Sequence, residues 1–436
     1  MATYASKLLI KALGACRDAE VAEEAFTEVN LAKPEHQKFK SGIGLRVNID
    51  GRLGYAWSEG ELSENELLET AAKAALAGSK GSFSQKGIFS NLQAESPEAM
   101  NKSLVRSLSQ MQRIIQNLDF MLPSLLPERK ISLSARIFQH TLKLTIRAGE
   151  RSASRTLHAL NLSSREGIPI SEAFYASVPP RLASDMLCRL VWRSVYSKEI
   201  AWPESSVMQG VFTAQACGRL LEDFAEDVLS RSDFPGQPEV FPLNSAVGIT
   251  DDGTLPGGFG TVPFDGEGMT KEPVELVRNG RFIQPFRDLS LSKNAGLPLS
   301  CLSVRPWGKA PKPGYSNLIL KPGRLSLGQL CESVDFGILL DNLTPLPKHM
   351  KKEGEFARRC ETAFILQHGR PICRIPQFIV RARYEDLLGG GLLGLGYERE
   401  WHGRALAAPL AAANLIFEET DIDPLETGSY YPELWW

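Results

Sequence analysis

The run FTAQACGRLLEDFAEDVLSRS, residues 212–232, carries four carboxylates at helical spacing and no histidine. Glu222 and Glu226 stand four residues apart, as do Asp223 and Asp227. Like charges at that spacing cost a helix a few tenths of a kcal/mol per pair. Ala216, Leu220, Phe224 and Val228, flanked by Cys217 and Leu221, form an apolar stripe that faces a core. The expected element is an amphipathic helix with a solvated acidic face. The alternative is a set of paired carboxylates that bind a cation or move protons. Zinc hydrolysis asks for two imidazoles on one helical face and a glutamate to activate water. The run offers no imidazole.

Elsewhere the chemistry is sparse. The six histidines (His36, His140, His158, His349, His368 and His402) include no pair spaced as H-x-x-x-H or H-x-x-x-x-H. His349, Cys360, His368 and Cys373 lie within about 25 residues. However, His368 sits in the hairpin turn LQHGRP, and Cys360 and Cys373 flank a strand, so no metal site is expected there. LGGGLLGLG matches G-x-G-x-x-G through Gly389, Gly391 and Gly394, but the helical turn YEDLL precedes it where a dinucleotide site needs a strand. The loop TDDGTLPGGFGTVPFDGEG gathers Asp251, Asp252, Asp265 and Glu267 among glycines, without the register of a calcium loop. Its length leaves a functional or partner-contacting role and a plain connector both open. G-x-S-x-G is absent, and a dispersed Ser/His/Asp set stays open.

The elements that position these residues fall into two kinds. Residues 2–26 read as a first amphipathic helix, with a faint lipoprotein-like box at Leu13–Cys16 set aside because Lys11 interrupts the apolar run. GIGLRVNI and RLGYAWS form a hairpin across Asp50-Gly51. Ser63 and Glu66 make a capping box for a helix stopped at Gly78. A helix in NKSLVRSLSQMQRIIQNLDFMLPS, strands in 130–149 and 153–164, and a helix in 181–200 complete this half. AWPESS breaks the pattern and places a boundary near residue 205. The second half is richer in glycine and proline, with short strands and turns such as VELVRNGRF and FILQHGRPI. Two helices interrupt the strands, at 212–232 and 325–333. The expected fold is α+β in two domains. Residues 1–205 form helices with an antiparallel sheet, and residues 206–436 form a mostly antiparallel, barrel-like β domain with few helices.

A net charge of −2 over 436 residues argues against a nucleic-acid binder, and the apolar runs are too short to span a bilayer. Seven cysteines without C-x-x-C read as reduced thiols of a cytoplasmic protein.

In order along the chain, LPGGFGTVPFDGEGMTKEPVELVRNGRFIQPFRD, YSNLILKPGRLSLGQL, ETAFILQHGRPICRIP and ARYEDLLGGGLLGLG resemble segments of the TldD/PmbA (TldD/TldE) family. VNIDGRLGYAWSEGELSENELLETAAKAAL and NLSSREG in the first half fit as well. The family has two kinds of subunit. One carries H-E-x-x-x-H on a helix opening the C-terminal domain and a cysteine ligand near the end, and the other lacks both. The resemblance implies a cytosolic zinc metalloprotease assembled from the two kinds, acting on unfolded or small modified peptides.

Residues 212–232 occupy the place of the zinc helix, and Gly218, Arg219, Glu222 and Asp223 stand at or beside the ligand positions. HGRALAAP lies about where the metal-binding subunit has Cys-Gly-Lys, which makes His402 a possible relic of a ligand. LLDNL replaces a more glycine-rich segment, and the tail YYPELWW after Pro424 is also a departure from the family. The chain thus resembles the zinc-free TldE/PmbA-like subunit. The resemblance implies no cofactor in this chain and zinc in a TldD-like partner, with a peptide as substrate. Asp265, Glu267 and Asp252 are the expected substrate- or partner-loop residues. Two readings remain beside it: a stand-alone, metal-independent hydrolase using Glu222 and Glu226 or a dispersed nucleophile, and a homodimeric peptide-binding protein.

Overall fold

The computed structural model describes residues 4–419, apart from 17, 33–36, 61, 79, 82–96, 147–148, 165–169, 178–182, 197–199, 204, 231–240, 295–297 and 353. The tail YYPELWW lies outside the described residues.

In the first half, α1 (Tyr4–Ala15) leads into β1 (Asp18–Asn30), β2 (Gln37–Ile49) and β3 (Arg52–Ser58). After α2 (Glu64–Ala77) and α3 (Pro97–Leu125) come β4 (Ser132–Ile146), β5 (Gly149–Ser164), β6 (Ile170–Ala176) and α4 (Ala183–Tyr196). The six strands form one antiparallel sheet, ordered β3-β2-β1-β4-β5-β6. The β2–β3 turn is made by Asp50 and Gly51, both at positive φ (49° and 78°), the twist a two-residue hairpin needs. The capping box forms as expected: Ser63 Oγ accepts from the Glu66 amide, and the Glu66 carboxylate accepts from the Ser63 amide.

The expected helix over residues 2–26 stops at Ala15, and residues 18–30 are a strand. The reason is double-sided burial. Ala19 and Val21 pack with α1 and α2, while Glu20, Ala22, Glu24 and Phe26 face the second half of the chain. With both faces covered, apolar residues recur at adjacent positions. The two-residue period is hidden, and an Ala/Glu-rich run reads as helix.

The second half opens with β7 (Val207–Phe212) and α5 (Ala214–Phe224), which continues as one π-helical turn over Ala225–Leu229. Then come β8 (Ile249–Asp251), β9 (Val274–Arg278), β10 (Arg281–Phe282), α6 (Leu289–Asn294), β11 (Ser303–Val304), β12 (Lys312–Pro313), β13 (Leu318–Leu320) and α7 (Leu327–Glu332). The chain ends its described part with β14 (Phe336–Thr344), β15 (Glu355–Gln367), β16 (Arg370–Ile375), β17 (Phe378–Arg383), α8 (Tyr384–Leu388), β18 (Leu392–Leu395), β19 (Glu400–His402), β20 (Ala405–Ala407) and β21 (Leu410–Glu419).

Strands β14, β7, β21, β17 and β15 pair in that order, and β15 pairs back to β14. They close a five-stranded barrel, with β16 and β18 hydrogen-bonded outside the ring. A second sheet runs β10-β9-β8-β13-β20-β19. Two pairs are parallel, β7–β14 and β13–β20; the other pairings are antiparallel. LLDNL forms part of β14, whose ladder to β15 shifts register around Asp341 and Asn342.

The two halves meet face to face. The loop between β8 and β9 lays Phe259, Val262 and Phe264 on the N-terminal sheet, against Leu142, Leu144, Ala153, Leu157 and Ala159. The loop that the sequence leaves open between a functional role and a plain connector forms the packing seam of the molecule.

Candidate functional site

Helix α5 begins at Thr213, whose side chain accepts from the Ala216 amide and so caps the helix. The helix touches β7, β14 and β15 of the barrel and β13, β19 and β20 of the second sheet. All eleven of its residues are buried. The expected solvated acidic face is therefore corrected: Glu222 and Asp223 are 5% and 2% exposed. Only past the start of the π turn does the acidic side reach water, at Glu226.

Each buried carboxylate is held by cations or amides. Glu222 accepts from Arg219 Nη1 at 2.7 Å through one oxygen and from the Arg404 amide at 3.1 Å through the other. Asp223 takes a two-pronged contact from Arg358, Nε and Nη2 each at 2.7 Å, and a third from Lys351 at 3.3 Å. Two parallel N–H donors on one carboxylate make a strong, oriented pair.

His402 closes the site from β19. A Cβ on Gly218 would lie 3.0 Å from the His402 Cβ, so the bare glycine gives the imidazole its seat. Gly403, next in the chain, has φ +58°, and a Cβ there would come within 2.5 Å of Glu222 Oε1. Glycine at 403 thus lets the β19–β20 turn reach the helix. Burial holds the His402 imidazole well below its usual pKa, and Arg219, Arg193, Arg358 and Arg189 push the same way.

Part of that cationic surround comes from the N-terminal half. Arg193 of α4 donates to Asp341 of β14 at 2.5 Å, to Gln215 of α5 at 2.9 Å, and to Glu172 of β6. Arg189 donates to Glu172 at 2.6 Å and to Glu400 of β19 at 3.3 Å. Thr213 Oγ1 reaches the Asp341 carboxylate at 3.1 Å.

The residues singled out from sequence thus divide. Gly218, Arg219, Glu222, Asp223 and His402 come together around α5. Glu226 and Asp227 lie on its π turn, where Asp227 accepts from Tyr384 Oη at 2.6 Å. Asp265 and Glu267 lie apart, fully enclosed at the seam rather than on a partner-facing surface. Glu267 pairs with Arg46 of β2 at 2.7 Å and accepts from the Leu289 amide. Asp265 Oδ1 accepts from the Glu267 and Met269 amides. Half-buried Asp252 folds its own turn by accepting from Thr254. His368 is in the hairpin turn at φ 50°, exposed and bonded to Asp335. Sequence reading missed Arg193, Glu172, Asp341, Arg358 and Arg404. Arg193 and Asp341 are 148 positions apart, Arg358 is 135 from Asp223, and Arg404 is 182 from Glu222, so no local spacing signals them.

The donor set does not suit a zinc ion. Zinc wants three or four N, S or O donors at tetrahedral angles. Here Gly218 offers no side chain, and the oxygens of Glu222 and Asp223 are engaged by guanidinium, ammonium and amide groups. The single imidazole lies in the positive field of Arg219, Arg193, Arg358 and Arg189, which opposes a bound dication. Among the described residues no group of three or more His, Cys, Asp or Glu is arranged to hold a metal.

With this geometry in view, residues 232–421 match the model of the PmbA/TldA metallopeptidase C-terminal domain. The second half of the chain thus carries a C-terminal domain of the TldD/PmbA kind. A metalloprotease of Methanothermobacter thermautotrophicus is 30% identical over 135 residues, a match spanning 30% of this chain and 29% of that protein. TldE of Thermococcus kodakarensis superposes with a TM-score of 0.70 at 16% identity, covering 95% of this chain and 99% of that one. A Thermotoga maritima protein named as a candidate modulator of DNA gyrase gives 0.71 at 15% identity, covering 94% and 99%. At such identities the two structures show that the fold is shared across both halves of the chain.

Proposed function

We propose that this chain is the zinc-free, TldE/PmbA-like subunit of a two-subunit protease. It completes the peptide-binding chamber of a zinc-bearing, TldD-like partner and works in the cytoplasm on unfolded or modified peptides. One observation carries the reading: the helix that would present H-E-x-x-x-H instead presents Gly218, Arg219 and Asp223, and its carboxylates are committed to arginine. A guanidinium salt-bridged inside the site supplies fixed positive charge where a metal subunit would place a dication, without an open coordination position. Likeness to TldE in fold supports the assignment to that branch, and the short metalloprotease match supports the protease context. An extended peptide pairing with an exposed strand edge would be read through its backbone, which suits substrates of varied sequence.

Metal analysis and co-expression test this. The purified chain alone is expected to hold no stoichiometric zinc and to show no chelator-sensitive peptidase activity. Co-expressed with a sister chain carrying H-E-x-x-x-H, it should co-elute as a hetero-oligomer that digests unfolded casein and stops on chelation. One tightly held zinc per lone chain, or chelation-resistant digestion by it, overturns the reading.

A further inference from the structure

Strand β2 is longer than its partner on the outer side. Against β1 it pairs from Gln37 to Asn48, but against β3 only from Ile43 to Ile49. Strand β3 ends at Ser58, whose hydroxyl donates to the Gly60 carbonyl and accepts from the Gly60 amide, bending the chain away. Residues 37–42 therefore form an open sheet edge: among the described residues no strand pairs with them on that side.

The direction of their backbone groups follows from the hairpin. Ile49 and Arg52 flank the two-residue turn and so exchange hydrogen bonds as a pair. Bonding alternates along a strand, so Val47, Leu45 and Ile43 also bond toward β3. By the same alternation Ser41, Phe39 and Gln37 aim their N–H and C=O groups off the open edge. The side chains add charge. Residues 37–41 are all exposed, Phe39 at 69%. Lys38 shares Glu28 with Arg136, at 3.5 and 3.1 Å. The Lys40 ammonium lies 5.2 Å from the centre of the Phe26 ring and 5.1 Å from that of Trp307, and it makes no ion pair among the described residues. Such an edge rejects a second copy of itself. Antiparallel pairing centred on Phe39 sets Lys38 against Lys40, and pairing centred on Lys40 sets two Lys40 side chains together. It accepts instead a strand with carboxylates at alternate positions, which stand at the close-approach pairs opposite Lys38 and Lys40. An apolar residue between them lies against Phe39.

Resting on the peptide-binding role given above, we propose that residues 37–42 take up an extended acidic peptide as a seventh strand of the six-stranded N-terminal sheet. The peptide bonds to the backbone of Gln37, Phe39 and Ser41 and is selected by Lys38 and Lys40. Backbone bonding leaves the residues between the carboxylates free to vary, while the two lysines set the charge.

The test is fluorescence anisotropy of the full chain with a labelled, end-capped peptide, Glu-Val-Glu-Val-Glu. Saturable binding that weakens with added salt is expected, and Lys-Val-Lys-Val-Lys should not bind. Lys40→Glu should weaken the acidic peptide about fivefold and strengthen the basic one, a reversal that loss of a merely structural contact would not produce. Ser41→Pro removes one outward N–H and should weaken binding about fivefold, the worth of one hydrogen bond. Because Ser41→Pro can disturb the strand itself, the acidic peptide with every backbone nitrogen methylated gives an independent arm, and it should not bind. No binding of the acidic peptide, equal binding of the basic or the methylated one, or an affinity that Lys40→Glu or Ser41→Pro leaves unchanged overturns the proposal. The two-subunit protease reading is judged separately, by zinc content and co-expression.

Discussion

At the scale of the residue, the site around α5 is governed by what a buried charge requires. Asp223 and Arg358 lie out of water at 2% and 7% exposure, and each makes the other tolerable. Removing one partner leaves the other stranded, which costs ~3–5 kcal/mol, whereas replacing both with apolar groups is far milder. Asp223→Ala is therefore expected to lower the stability measured by urea denaturation by about that amount. Asp223→Leu combined with Arg358→Met should recover most of it, and a double variant as unstable as the single one would show that the pair is not the cause. The acidic run was visible in the sequence; its burial was not. The neutralising groups are separated from it by 128 positions (Lys351) and 135 positions (Arg358). A chain read in windows of one or two helical turns cannot bring such partners together.

At the scale of the element, local rules found what local forces build. The capping box at Ser63, the Asp50-Gly51 hairpin and the alternating strands β4 and β5 were legible, because their causes lie within a few residues. Strand β1 was not, since the second half of the chain covers its other face. The turn at 265–269 is a further case: its acidic residues read as a surface loop, yet Asp265 is enclosed. Burial raises the Asp265 pKa to about 7, with Glu267 adding to the rise against Lys271 and the two amides. The folded state thus keeps a proton there that the unfolded chain, near 3.8, has already released. Stability from this group is complete below about pH 4 and is lost as pH climbs toward 7, by up to ~4 kcal/mol. Asp265→Asn retains the acceptor oxygen and cannot ionise. The difference in unfolding free energy between the Asp265→Asn variant and the parent should grow in favour of the variant between about pH 4.5 and 7.5. A difference that stays flat across that range would falsify the assignment.

At the scale of the whole molecule, the two halves are joined by charge as much as by apolar packing. Glu20 and Arg305, Arg46 and Glu267, and Arg193 with Asp341 are buried pairs that cross from one half to the other. Separating the halves would expose or strand all of them, so the whole chain is expected to unfold in one calorimetric transition. Residues 206–436 expressed alone should aggregate or melt well below the full chain; two resolved transitions in the intact protein would contradict this. The same crossing pairs bear on synthesis. A ribosome delivers Glu20 and Arg46 more than two hundred residues before Arg305 and Glu267, at roughly 5–20 residues per second. For some ten seconds or more the nascent N-terminal sheet must keep its future inner face in water. Its glutamates, costly once enclosed, serve during that interval as solubilising groups that keep an unfinished β-sheet from sticking to its neighbours.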